Sequence, residues 1–242
     1  MNDIKLKDNI RDEPNYNKVL EVIDSRTNYV EITYILRYLK FVQRDDVYSM
    51  CSDDEVDQIT HIIEDINNKD VKGVIVEAGV WRGGMSAYIR ALLNYYNDDR
   101  HLYLFDTFGG FPESQLNNKD QRIHPIMQLI YRDYQLNQVK QLFKRFDLLA
   151  NTNFIQGKFV NTIPKTSIKK IAILRLDADY YEPTLYVLEQ CYYKISPGGY
   201  VIVDDYNNPY VGCKQAVLEF RAKYNITTPI VDDYGGSIYW IV

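Results

Sequence analysis

Five aspartates and one glutamate carry most of the chemistry that can be read from this chain. Asp177 and Asp179 follow the apolar run Ile171–Leu176, and Asp204 and Asp205 follow Tyr200–Val203. In a parallel sheet the carboxyl ends of the strands meet at one edge, so these four side chains are expected together. Read as lacking a Lys or Arg in their own motifs, they would repel one another, and a divalent cation is one remedy. Oxygen donors alone favour Mg²⁺, with Mn²⁺ or Ca²⁺ as substitutes. The plainer alternative makes these aspartates N-caps of the helices that follow. His61, His101 and His124 fall in unrelated segments, which argues against zinc.

The other two carboxylates flank a glycine turn. Val74–Gly84 reads VIVEAGVWRGG, with Glu77 near a strand end and Gly79, Gly83 and Gly84 opening a helix. Glycine lets a ligand approach the backbone closely. The spacing departs from GxGxxG, so a pyrophosphate cradle is disfavoured, and with it an NAD(P)-dependent oxidoreductase. Asp106 ends the run Leu102–Asp106, where an acidic side chain accepts hydrogen bonds from ribose hydroxyls. A carboxylate such as Glu77 suits the amino group and sulfonium of S-adenosylmethionine better than it suits phosphates. A tight turn with a solvated Asp106 is the bland alternative. Trp81 stands beside this turn and reads equally well as a core residue.

The elements that must position these residues follow a clear rhythm. From Gly73 onward, short apolar runs (GVIVEAG, HLYLFD, NFIQGKF, KKIAILRLD, GYVIVDD, SIYWIV) alternate with the helical patterns SAYIRALLNYY, PTLYVLEQCYYKI and KQAVLEFRAKY. A long polar insert follows HLYLFD, and Pro197-Gly198-Gly199 reads as a turn before Tyr200–Asp204. This is the pattern of a doubly wound α/β sheet covered on both faces, from about residue 70 to 242. Residues 1–69 read as an arm and a helical cap, with helical runs over Val30–Val42 and Val56–Ile66. The arm, residues 1–28, reads equally as an oligomer contact, so a homo-oligomer fits. Ser52, followed by Asp53, Asp54 and Glu55, has the form of an N-cap with an acidic first turn.

Composition narrows the partners. The 242 residues carry 28 Lys+Arg against 33 Asp+Glu, a net charge of −5, with no basic cluster, which argues against nucleic acid. No apolar run approaches bilayer length and the start lacks a signal-peptide core, so no membrane partner and a cytoplasmic location are expected. Cys51, Cys191 and Cys213 show no CxxC spacing and read as reduced thiols.

Four stretches in order, EAGVWRGG (77–84), LFDTFGGFPE (104–113), RLDADYYEPT (175–184) and VDDY (203–206), resemble the macrocin O-methyltransferase family, the TylF-like enzymes of macrolide and aminocoumarin sugar tailoring. The resemblance implies a Rossmann-like class I methyltransferase sheet. It also implies dependence on S-adenosylmethionine and Mg²⁺, and transfer to a hydroxyl of a sugar or glycosylated small molecule. It makes Asp177, Asp204 and Asp205 the metal ligands and Asp179 the general base. Glu77, Gly79, Arg82 and Ser86 would line the methionine end of the cofactor, Asp106 would hold its ribose, and Gln156–Asn161 would match the adenine-side loop. The implied cofactor set also takes in Trp81, Gly83, Thr107, Gly157, Phe159, Asn161 and Asp177. Asn161 stands where the family often has an acidic residue, Gly109 and Phe111 alter the usual EGMP wording, and little of Asn117–Tyr134 aligns with it. A Mg²⁺-dependent methyltransferase of a catechol-like diol is the nearest rival, because the same chelation serves either acceptor. Tyr29, Tyr34, Tyr38 and Tyr48 are candidates to close over the cofactor.

Overall fold

A computed structural model describes residues 47–112, 116–131, 134–232 and 236–242. The expected arm, the run Val30–Val42, and Tyr29, Tyr34 and Tyr38 lie outside the described residues.

The strands are β1 (Val74–Ala78), β2 (Leu102–Asp106), β3 (Thr152–Gln156), β4 (Ile171–Leu176), β5 (Ile195–Val203), β6 (Val231–Asp232) and β7 (Ile238–Ile241). They form one sheet in the order β3-β2-β1-β4-β5-β7-β6. Pairings among β1 to β5 are parallel, while β7 runs antiparallel to both β5 and β6. The order reverses between β1 and β4, so the carboxyl ends of these two central strands flank the crevice where ligands settle in such sheets.

Side chains alternate between the two faces, as a period of two requires. Ile75, Leu104, Ile173 and Ile202 join one core with α1 (Asp53–Asn68), α2 (Gly84–Tyr95) and α4 (Leu136–Arg145). Val76, Phe105, Leu174 and Val203 join the other, against α3 (Asn118–Tyr131), α6 (Tyr181–Cys191) and α7 (Cys213–Lys223). A single helical turn, α5 (Phe159–Thr162), lies between β3 and β4. Every residue of β4 is buried, as expected for a parallel strand covered on both sides. Among the described residues no helix is long and apolar enough to cross a membrane, and all three cysteines are free.

Ser52 is the N-cap of α1: its hydroxyl accepts from the Glu55 backbone N–H, and the Glu55 carboxylate accepts from the Ser52 N–H at 2.7 Å. Ile59, Ile62, Ile63 and Ile66 then place one stripe of α1 in the first core. Two expectations are corrected. The polar stretch after β2 contains helices α3 and α4; its apolar residues Ile126, Met127, Ile130, Val139, Leu142 and Phe143 recur at helical spacing and are buried. The Pro197-Gly198-Gly199 turn lies inside β5, as an irregularity where pairing passes from Ile171↔Ile195 to Ile173↔Tyr200.

Candidate functional site

β1 ends one residue before Gly79, whose backbone has a φ of +94°. A Cβ there would stand 1.7 Å from the Asp177 carbonyl oxygen, so only glycine lets the first turn pass the end of β4. Asp106 fastens the same turn. One of its oxygens accepts from the N–H groups of Val80 (2.7 Å) and Trp81 (3.1 Å), and the other from Phe108 N–H at 2.7 Å. The Thr107 hydroxyl lies 3.3 Å from that second oxygen, but it also lies 2.5 Å from the Gly110 carbonyl. Asp106 is therefore a staple of the turn, a role its position at a strand end does not disclose.

Glu77 is 1 % exposed. It accepts from the Ser86 hydroxyl and from Arg175 Nη1 at 2.8 Å. Burial outweighs Arg175 and pushes its carboxyl up to about 7.

At the acidic edge three of the four expected members draw together directly, and Asp204 is joined to Asp177 through the guanidinium of Arg175. Carboxylate oxygens of Asp177, Asp179 and Asp205 lie within 4.8 Å of one another. Asp179 and Asp205 both hold left-handed backbone angles, φ +55° and +54°. That is costly for a residue other than glycine, and it persists where surrounding structure imposes it. The imposition is visible: the Asp179 carbonyl accepts from Cys213 N–H at the start of α7, and the Asp205 carboxylate accepts from the Asn208 amide, each at 3.0 Å. Burial and the neighbouring Asp205 hold the Asp179 carboxyl well above the usual range; burial and Asp204 do the same for Asp177. A set of oxygen-only donors this close, two of them raised by burial and by neighbouring carboxylates, fits a hard divalent cation such as Mg²⁺.

The premise that no basic residue attends these aspartates fails. Arg175, on β4 and 3 % exposed, donates from Nη1 to Glu77 and to Asp177 at 2.8 Å each, and from Nη2 to Asp204. Cys51 Sγ lies 3.4 Å from the same Nη2. Asp204 thus stands with Cys51 and Glu55, whose ligand atoms form a second cluster within 4.8 Å. The sequence held the signal: a charged side chain inside a continuously apolar parallel strand is rarely buried without a partner.

Both features open onto one cavity of about 730 Å³. Of the predicted residues, Glu77, Gly79, Trp81, Asp106, Thr107, Phe159, Asp177, Asp179, Asp204 and Asp205 line it. Arg82, Gly83, Ser86, Gly157 and Asn161 stand outside the lining, for distinct reasons. Arg82 donates to the Val47 carbonyl at 2.8 Å and lies over the Trp81 and Tyr134 rings. Gly83 is the N-cap of α2, against Val139, and Ser86 is buried behind Glu77. Gly157 N–H donates to the Asp106 carbonyl, and Asn161 is exposed on α5. Tyr48 does line the cavity, and its carbonyl accepts from Gly84 N–H at 2.8 Å; a Cβ on Gly84 would come within 2.4 Å of that oxygen.

Sequence reasoning missed an aromatic wall. Trp81 meets Tyr131 edge-on at 5.8 Å, Tyr131 meets Phe111 at 5.4 Å, and Phe111 stacks on Tyr180 at 4.5 Å. All four line the cavity. Tyr131 comes from α3, and His124 of the same helix has Nδ1 3.3 Å from the Tyr180 hydroxyl.

Comparison with known proteins bears on the same stretch of chain. Residues 43–241 match the family model described as macrocin-O-methyltransferase (TylF). The chain is 35% identical over 191 residues, 76% of this chain and 72% of the relative, to the 8-demethyl-8-(2,3-dimethoxy-alpha-L-rhamnosyl)-tetracenomycin-C 4'-O-methyltransferase of Streptomyces olivaceus. It is 32% identical over 199 residues, 80% of this chain and 78% of the relative, to the mycinamicin III 3''-O-methyltransferase of Micromonospora griseorubida. Among solved structures, the O-methyltransferase NovP superposes with a TM-score of 0.76 at 32% identity, covering 85% of this chain and 87% of its own. The calicheamicin methyltransferase CalS11, at 21% identity and a TM-score of 0.65 over 89% of this chain and 94% of its own, shares the fold.

Proposed function

The chain belongs to the macrocin O-methyltransferase family, and we propose that it transfers the methyl group of S-adenosylmethionine to a hydroxyl of a sugar or glycosylated small molecule, aided by Mg²⁺ at the acidic edge. The observation that carries this reading is the opening of the Glu77–Gly79 turn and the Asp177–Asp179–Asp205 cluster onto one cavity. The relatives named for a rhamnosyl tetracenomycin and for mycinamicin III support an acceptor hydroxyl of that kind.

Glu77 and Gly79 receive the amino-acid end of the donor. Asp106 takes a ribose hydroxyl in place of the weak Thr107 contact, since its backbone partners leave little other capacity. Phe159 meets the adenine. Ser86 holds Glu77 in place from behind, Arg82 and Gly83 fix the entry to α2, and Gly157 and Asn161 shape the loop after β3. Asp177, Asp204 and Asp205 would hold the cation, with Asp179 at the same edge directing an oxygen at the acceptor. When bound, Mg²⁺ supplies the positive charge that lowers the pKa of a hydroxyl beside it.

Asp179 removes the proton from the reacting hydroxyl. Its raised carboxyl makes it a stronger base than an exposed aspartate once ionised. The wall of Trp81, Tyr131, Phe111 and Tyr180 holds the acceptor's apolar face and keeps water from the sulfonium. Fixing both partners in line for displacement accounts for about 7–11 kcal/mol in well-oriented reactions.

The test is an acceptor panel of glycosides and catechols with S-adenosylmethionine, scored by product mass. Methylated glycosides are the expected result. Turnover of catechols alone would move the assignment to the diol class.

A further inference from the structure

The carboxylates of the acidic edge must stay side by side before a cation arrives. Oxygens of Asp177, Asp179 and Asp205 lie within 4.8 Å of one another, and like charges at that spacing repel. Asp205 stands on the loop after β5 with a left-handed backbone, φ +54°, so no regular element fixes its side chain. Asn208, three residues on, supplies the fixture. Its amide Nδ2 donates to Asp205 Oδ1 at 3.0 Å, its amide oxygen accepts from Tyr210 N–H at 3.0 Å, and its own N–H donates to the Asp205 carbonyl at 2.9 Å. The Tyr210 contact requires the amide oxygen on that side, which turns the amide nitrogen toward Asp205. Pro209 disfavours the helical region for Asn208 and so narrows its backbone. The adjacent Asn207 faces elsewhere: its amide donates to both Asp232 oxygens, at 3.1 and 3.0 Å, and stitches the loop to β6.

We propose that Asn208 is a positioning residue that holds the Asp205 carboxylate at the metal edge. A neutral amide suits the task, because it gives a carboxylate an N–H partner without adding a positive charge that would compete with the cation. Arg175 already bonds Asp177 and Asp204; Asn208 does the corresponding work for Asp205, the third of the residues proposed to hold Mg²⁺. Partners that orient a metal's ligands commonly change its affinity by about 10–100-fold.

This inference rests on the Mg²⁺ reading above, and the experiment separates the two. Mg²⁺ is titrated by calorimetry into metal-free wild type, Asn208→Ala, Asn208→Ser and Asn207→Ala with no donor or acceptor present, and each protein is melted in EDTA and in Mg²⁺. None of these substitutions changes the formal charge. Asn208→Ala should raise the Mg²⁺ dissociation constant on the order of tenfold and shrink the Mg²⁺-induced rise in melting temperature. Asn208→Ser keeps an oxygen for Tyr210 N–H, as serine does in such turns, but is too short to reach Asp205, so it should bind Mg²⁺ as weakly as the alanine variant. Asn207→Ala frees the loop from β6 and leaves the Asp205 contact, so its dissociation constant should stay within about twofold of wild type. A merely structural asparagine would lower the melting temperature in EDTA with Mg²⁺ affinity unchanged, and that result overturns the proposal. Wild-type affinity in Asn208→Ser, or an equal loss in Asn207→Ala, would trace the effect to the shape of the loop and overturn it as well. If wild type itself binds no Mg²⁺, the metal reading fails first and this inference with it.

Discussion

At the scale of single residues, Asp179 and Glu77 are both buried acids, but the account gives them different tasks. Asp179→Asn keeps the volume and removes the base, so kcat should drop by about 10²-fold or more. Adenosylhomocysteine affinity, measured by calorimetry, should stay within about twofold, since the proposed role sets this aspartate at the acceptor and not at the donor. Equal turnover in the variant would remove Asp179 from the mechanism. Glu77 gives a pH signature instead. Its carboxyl rises from 4.5 to about 7 on folding, so the folded chain binds more protons than the unfolded chain between those values. Stability of the metal-free protein should therefore decline as pH increases through that interval, and Glu77→Gln should flatten the decline. Thermal melts at a series of pH values check both. Cys51 reports on occupancy: it lines the cavity and is half-buried, whereas Cys191 and Cys213 are buried. Burial pushes its thiol up, so alkylation is slow; adenosylhomocysteine with Mg²⁺ should slow it further, read by mass spectrometry of the labelled peptide.

At the scale of elements, the least conspicuous residue is Asp120 on α3. It is fully buried, and its two oxygens accept from the N–H of Tyr181 (2.8 Å), which opens α6, and from Gly212 (2.9 Å), which caps α7. One carboxylate thus ties the helices that follow β4 and β5 to the helix carrying Tyr131 and His124. Asp120→Ala removes two caps at once and should cost about 2–3 kcal/mol in urea unfolding. Because α3 forms part of the aromatic wall, acceptor KM should rise more than donor KM. A stability loss below about half a kcal/mol would show that α3 is anchored elsewhere. This anchor explains why α3 is hard to read in advance. The strands announce themselves by apolar runs, and Ser52 by a local capping pattern, but the partners of Asp120 lie 61 and 92 residues away. The same limit hid Arg175, whose partners sit on three other segments. The acidic strand ends were legible because a parallel sheet brings its carboxyl ends together whatever the loops do; which of the four aspartates an arginine would claim was not.

At the scale of the whole molecule, the β3-β2-β1-β4-β5-β7-β6 order places the turn after β1 beside the acids after β4 and β5. The proposed donor and acceptor sites therefore lie side by side as a consequence of strand order, and the sheet could be foreseen from alternating runs alone. The aromatic wall is supplied by α3 and by residues after β1, β2 and β4, which the strand order does not specify. The measurement closest to the heart of the account is methyl transfer from deuterated S-adenosylmethionine to a glycoside by metal-stripped enzyme, before and after Mg²⁺ is restored. The account predicts no labelled product in EDTA and full return with Mg²⁺; undiminished transfer by the stripped enzyme would contradict it.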